Sequence, residues 1–178
     1  MGIMKVGDKI IGDERQPLMI AEEGQANQGN LDMAINMCEL AAKSGADGIE
    51  FQFFLAKDMY IPDDEGYAIY KERELAISQI KELIDIVHSH SLIFQVAGLS
   101  TEIIENCATL GADVFVVNAT DLTNPVIIDA VLDTRKPFFL ATLIAPDISP
   151  IKYQLSSSCH LFLLSILKII CSFFFYKT

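Results

Sequence analysis

The sequence predicts an α/β fold in which parallel strands are covered by helices. Short apolar runs alternate with segments of helical period, and cap and turn residues sit at the joints. Of the 178 residues, 51% are apolar and 21% charged, the balance of a chain that packs a core.

The first strand is expected at 18–22. Asn30 can cap the helix that follows, in which Leu31, Ala34, Ile35, Cys38 and Ala42 share one face, and Gly45 can stop it. The second strand, 48–53, sets Ile49, Phe51 and Phe53 against Glu50 and Gln52. Parallel strands are ordinarily apolar on both sides, so this alternation predicts a polar face. Residues 54–76 are long for a β/α connection and read as a loop around Pro62-Asp63-Asp64-Glu65-Gly66. They form either a solvated acidic excursion or part of a site on the carboxyl face. Ile77, Ile80, Ile84 and Val87 mark the second helix, and 92–97 the third strand. Ser100 can cap a third helix that carries Ile103, Ile104 and Cys107 and stops at Gly111; strand 114–118 follows. Asn124-Pro125 has the order of a fourth helix start, and 137–142 is the fifth strand. Gly-Ala-Asp occurs at 45–47 and at 111–113, each time between a helix and a strand, a weak repeat of the β/α unit.

All 24 acidic residues lie at or before Asp147, with 10 of the 13 basic ones, so this part carries an excess of 14 negative charges. A field of that sign disfavours nucleic acid and anionic membrane as partners. Cys38, Cys107, Cys159 and Cys171 form no C-x-x-C pair and no cluster with histidine, which predicts buried thiols in a reducing cytoplasm. The first residues lack the apolar stretch of a signal peptide, again consistent with a cytoplasmic location. His88 and His90 are two apart, share no helix face, and read as helix-end residues.

From Pro150 onward there is no acidic residue and no glycine, and Leu, Ile, Phe, Ser and Cys crowd together. A membrane anchor over 161–176 would be short and would carry Lys168 near its centre. The abrupt end of the β/α pattern favours the other explanation, a tail foreign to the fold such as a frame-shifted or mis-spliced end. The expected division is therefore 1–149 for the folded part and 150–178 for the tail.

No dinucleotide fingerprint or phosphate loop is present. Met19-Ile20-Ala21-Glu22-x-Gly24-Gln25-x-x-Gln28-Gly29-x-Leu31 instead resembles the opening of the sialic acid synthase (N-acetylneuraminate synthase, NeuB-like) barrel. Ala41-Ala42-Lys43-Ser44-Gly45-Ala46-Asp47, Phe51-Gln52, Ile93-Phe94 and Asp121-Leu122-Thr123-Asn124 extend the similarity in order. Residues 5–12 are similar to the short hairpin that plugs the barrel base in that family. The resemblance covers residues 5 to 145 and implies a partial (β/α)8 TIM barrel: about five β/α units and an N-terminal β-hairpin, on a chain shorter than the roughly 250 residues of a complete barrel.

The resemblance implies carbohydrate (nonulosonic acid) biosynthesis: condensation of phosphoenolpyruvate with an N-acetylated sugar, helped by a divalent metal such as Mn or Mg. The family's metal-binding histidines lie downstream of the matched region, and no metal role is carried onto His160. Where the family places lysines, this chain has Glu50 and Val116; where it places hydroxyls, Ala97, Ala119 and Ala141. Such losses predict weak phosphoenolpyruvate binding and a protein that is inactive or altered in substrate. The resemblance sets the register so that Glu50, Gln52, Gln95 and Asn118 face the barrel axis, with Glu22 close by. Glu22 is the expected catalytic residue; Gln25, Asn27, Glu50, Gln52, Gln95, Asn118 and Asp121 are the expected contacts to a small-molecule sugar. Such a pocket suits hydroxyl, amide or cationic ligands, or an oxygen-liganded metal, better than a phosphate. The alternative is a non-catalytic sugar-binding or assembly module, in which an open sheet edge favours homo-oligomers. Another phosphoenolpyruvate aldolase or a barrel lyase is a minor alternative.

Overall fold

The computed structural model describes residues 3–12 and 15–141. Thr142, the tail from 150, Cys159, Cys171 and His160 lie outside the described residues.

Two strands, β1 (Met4–Val6) and β2 (Lys9–Ile11), form an antiparallel hairpin turned at Gly7, whose φ of +55° suits glycine. Five parallel strands follow: β3 (Ile20–Gly24), β4 (Gly48–Phe53), β5 (Ile93–Gly98), β6 (Val114–Val117) and β7 (Phe138–Leu140). They lie side by side in sequence order. Unreversed order is that of a barrel arc, since a doubly wound sheet reverses its order at a switch point.

The helices are α1 (Leu31–Ser44), α2 (Ala56–Met59), α3 (Glu65–Glu72), α4 (Ile77–Ser89), α5 (Thr101–Leu110) and α6 (Pro125–Asp133). Asn30 Oδ1 accepts from Met33 N and Ser100 Oγ from Ile103 N, so both expected caps form; Gly45 and Gly111 close their helices in the left-handed conformation. Asn124 occupies the N-cap position of α6 without a side-chain cap. Its amide donates instead to Asp121 Oδ1 at 3.1 Å.

Two sequence expectations change. The first strand begins at Ile20 rather than residue 18 because Asp47 intercepts the preceding backbone: Met19 N donates to Asp47 Oδ2, and Met19 O accepts from Asp47 N. Residues 54–76 are not a plain loop, since they contain α2 and α3. Asp64 in the acidic run caps α3 by accepting from Gly66 N, and Glu74 Oε1 accepts from Ala56 N at the start of α2. Phe54, Tyr60 and Tyr70 pack ring to ring between them.

The sheet has two apolar faces. Phe51, Phe53, Phe94, Val96, Phe115, Val117, Phe138 and Leu140 point outward into the helices. Ile93, Ala97, Val114, Val116 and Phe139 point inward, where Met4 and Val6 of the hairpin cover them. The Gly-Ala-Asp repeat acquires a physical role at the base of the sheet. Asp47 accepts the backbone N–H of Met19, just before β3, and Asp113 that of Phe94 on β5, the neighbouring preceding strand in each case. Lys9 also binds Asp47 at 2.9 Å and His88 binds Asp113 at 2.9 Å, so His88 has a partner that its position in the sequence did not announce. The bond from Met19, then Lys9, holds the Asp47 carboxyl below the usual range. Among the described residues no helix is long and apolar enough to cross a membrane.

Candidate functional site

Register sets the inner face in layers. Glu22 on β3 stands opposite Glu50 on β4, and Glu50 opposite Gln95 on β5. Gln52, Ala97, Val116 and Phe139 form the next layer toward the carboxyl ends. Glu50 and Gln95 are buried, and Gln95 Nε2 donates to Glu50 Oε2; Gln95 Oε1 has no hydrogen-bond partner among the described residues. Charging a carboxyl in such a place is unfavourable unless donors surround it, and the Gln95 amide is one such donor. Position 116 is a valine on the inner face, enclosed by apolar neighbours.

Above this layer a cleft opens at the carboxyl ends. The loop after β3 supplies Gln25, Asn27 and Gln28, the end of β4 supplies Gln52 and Phe53, and the segment after α3 supplies Arg73, Glu74 and Leu75. Its enclosed space is about 10 Å³, room for one water. Gln52 Nε2 makes a long contact of 3.5 Å to Glu22 Oε1, and Glu22 is exposed.

Of the expected residues, Gln25, Asn27 and Gln52 therefore line one cleft, Glu22 joins them through Gln52, and Glu50 and Gln95 lie a layer below. Asn118 and Asp121 sit beyond the end of β6, two strands from β4, and do not line the cleft. Asn27 is buried, and its side chain is engaged within its own loop: Nδ2 donates to Glu23 Oε1 at 3.0 Å and Oδ1 accepts from Gly29 N at 2.8 Å.

Sequence reasoning passed over Glu23 and Arg73. Glu23 is buried on the helix side of β3, and its Oε1 also accepts from Asn27 N at 2.5 Å, while Oε2 has no hydrogen-bond partner among the described residues. Burial pushes its carboxyl up to about 7, against the hydrogen bonds from Asn27 that pull it down. Strict alternation along β3 would have placed Glu23 opposite to Glu22 and so beside α1. Cys38 of that helix is buried too, and its thiol is pushed up to about 12 by burial first and then by the Glu23 charge. No comparable signal marks Arg73, which reaches the cleft only because α3 folds back.

A divalent metal is implied by the family resemblance. Among the described residues no three His, Cys, Asp or Glu side chains gather to hold one, so no step is assigned to a metal here.

Strand order, plugged base and carboxyl-face cleft define one arc of a β/α barrel, the cleft being formed by the β3–α1 and β4–α4 connections. The chain belongs to the NeuB family, whose model matches residues 37–148. It is similar to an N,N'-diacetyllegionaminic acid synthase of Campylobacter jejuni, with 26% identity over 82% of this chain and 47% of that protein. An uncharacterised protein of Methanocaldococcus jannaschii is 27% identical over 78% of this chain and 41% of its own length. The N-acetylneuraminic acid synthetase of Leptospira borgpetersenii shares the fold: TM-score 0.78 and 21% identity, over 87% of this chain and 54% of that one. The chain thus spans about half the length of the relatives it matches.

Proposed function

We propose that this chain serves nonulosonic acid biosynthesis by binding the hydroxyl and amide groups of a sugar at its carboxyl-face cleft, without condensing phosphoenolpyruvate onto it. The observation that carries the proposal is the inner-face pair Glu50–Gln95, at a position where the family resemblance implies a lysine. Phosphoenolpyruvate brings a phosphate and a carboxylate, and moving them from water into a partly dry barrel requires cations and hydroxyls. Here a carboxyl group takes the place of one expected cation and Val116 the place of another, while Ala97 and Ala141 line the same face. The amide groups of Gln25 and Gln52 suit the hydroxyls and acetamido group of a neutral sugar. Family membership supports the carbohydrate pathway.

The test is an assay of inorganic phosphate released from phosphoenolpyruvate in the presence of N-acetylmannosamine and Mn or Mg, run beside calorimetry with the sugar alone. Binding of the sugar with phosphate release at background is the expected result. Release above background would overturn the absence of condensation, and a flat calorimetric trace would overturn the sugar site.

A further inference from the structure

We propose that Arg73 makes the mouth of the cleft an anion subsite, so that the preferred ligand is a hydroxylated acid, a sugar carrying one carboxylate or phosphate. This rests on the reading of the cleft as a sugar site and adds its charge preference.

Arg73 is half-buried and lines the cleft together with Gln25 and Gln28. Its backbone is fixed on both sides. The N–H donates to Tyr70 O at the end of α3, and the Cα lies against Gly29, only 2.7 Å from where a β-carbon on that glycine would stand. The guanidinium carbon lies 5.9 Å from the centre of the Tyr70 ring, at the outer range of a cation–π contact.

The nearest carboxylate in the cleft wall is already engaged. Glu74, the carboxylate in the same cleft wall, accepts from Ala56 N through Oε1 and from Lys71 Nζ through Oε2, at 2.6 and 2.7 Å. Lys9, Lys43, Lys57, Lys71 and Lys81 each pair with a carboxylate, whereas Lys5, Arg135 and Lys136, away from the cleft, have no ion pair among the described residues. Arg73 pairs with none among the described residues, although acidic residues outnumber basic ones 24 to 13. A half-buried guanidinium on a fixed backbone, with no carboxylate partner among the described residues, is a ready partner for a carboxylate or a phosphate, which it can bind through two parallel hydrogen bonds. The enclosed space admits only a water, so the whole ligand is placed over the mouth, its anionic group toward Arg73 and its hydroxyl groups toward the amides of Gln25 and Gln52. The rim thereby supplies the positive charge missing from the axis at positions 50 and 116, but for one anionic group, not two.

The experiment titrates the full chain, by calorimetry at low and moderate salt, with glucose, N-acetylmannosamine, gluconate and glucose 6-phosphate. At least one acidic probe should bind about tenfold more tightly than glucose, with the advantage shrinking as salt rises. Gluconate against glucose 6-phosphate tells a carboxylate site from a phosphate site. Arg73→Gln, checked for unchanged circular dichroism, should abolish the advantage of the acidic probes over glucose; Arg73→Lys should keep part of it. Equal affinity for acidic and neutral probes, or an advantage that survives in Arg73→Gln, overturns the anion subsite while the sugar site stands. Binding by none of the four probes overturns both.

Discussion

Glu22 and Glu23 are adjacent on β3 and face opposite sides of the sheet. Glu22 is exposed, whereas Glu23 is buried and tied to Asn27, and its carboxyl is raised from about 4.5 to about 7. The folded state therefore holds that proton more tightly than the unfolded chain does. Its contribution to stability is full below pH 4.5 and is lost as pH rises through 7, on the order of 3 kcal/mol in all. Glu23→Gln keeps an acceptor for Asn27 and removes the titration. Urea unfolding of the two proteins should show Glu23→Gln gaining up to about 3 kcal/mol over the parent between pH 5 and pH 8, with little difference at pH 4; parallel pH profiles would refute the assignment. The family motif draws the eye to Glu22 because that position matches, and only the burial of its neighbour shows which carboxyl braces the loop.

At the scale of elements, helices with caps and an apolar stripe were readable in advance, as α1 and α5 illustrate, because local spacing and a single cap residue determine them. The 54–76 excursion was not. Its helices are short, α3 buries no residue completely, and both depend on partners distant in sequence, such as Glu74 for the start of α2. Gly29 shows how that excursion is joined to the loop after β3. It has φ of +80°, and a β-carbon there would stand 2.7 Å from Glu72 O and Arg73 Cα, both backbone atoms that cannot swing aside. Gly29→Ala should cost about 2 kcal/mol or more in chemical denaturation and speed proteolysis within 54–76; unchanged stability would show that the two connections are not locked together.

For the molecule as a whole, the inner core is small and depends on the hairpin. Val6 is fully buried against the inward side chains of β5, β6 and β7, so the first residues of the chain cover a surface built some 90 or more positions later. Val6→Asp puts an unpaired carboxyl into that layer and should destabilise the whole sheet by about 3 kcal/mol or more, exposing it to a hydrophobic dye, whereas Lys5→Asp on the exposed side should change little. Loss of the hairpin alone, with the sheet's melting unchanged, would contradict this dependence.

By itself the sequence determined the β/α alternation, the caps, the two-sided strand 48–53 and the family resemblance, because each is encoded in spacing over a few residues. Tertiary structure alone decided which side chains share a cleft: it brought Arg73 beside Gln25 and Gln52, set Asn118 and Asp121 apart from them, and paired Glu50 with Gln95 across strands 45 residues apart. Those outcomes depend on strand register and on how connections fold back over the sheet. Both are set by long-range packing, which leaves no periodic mark in the chain.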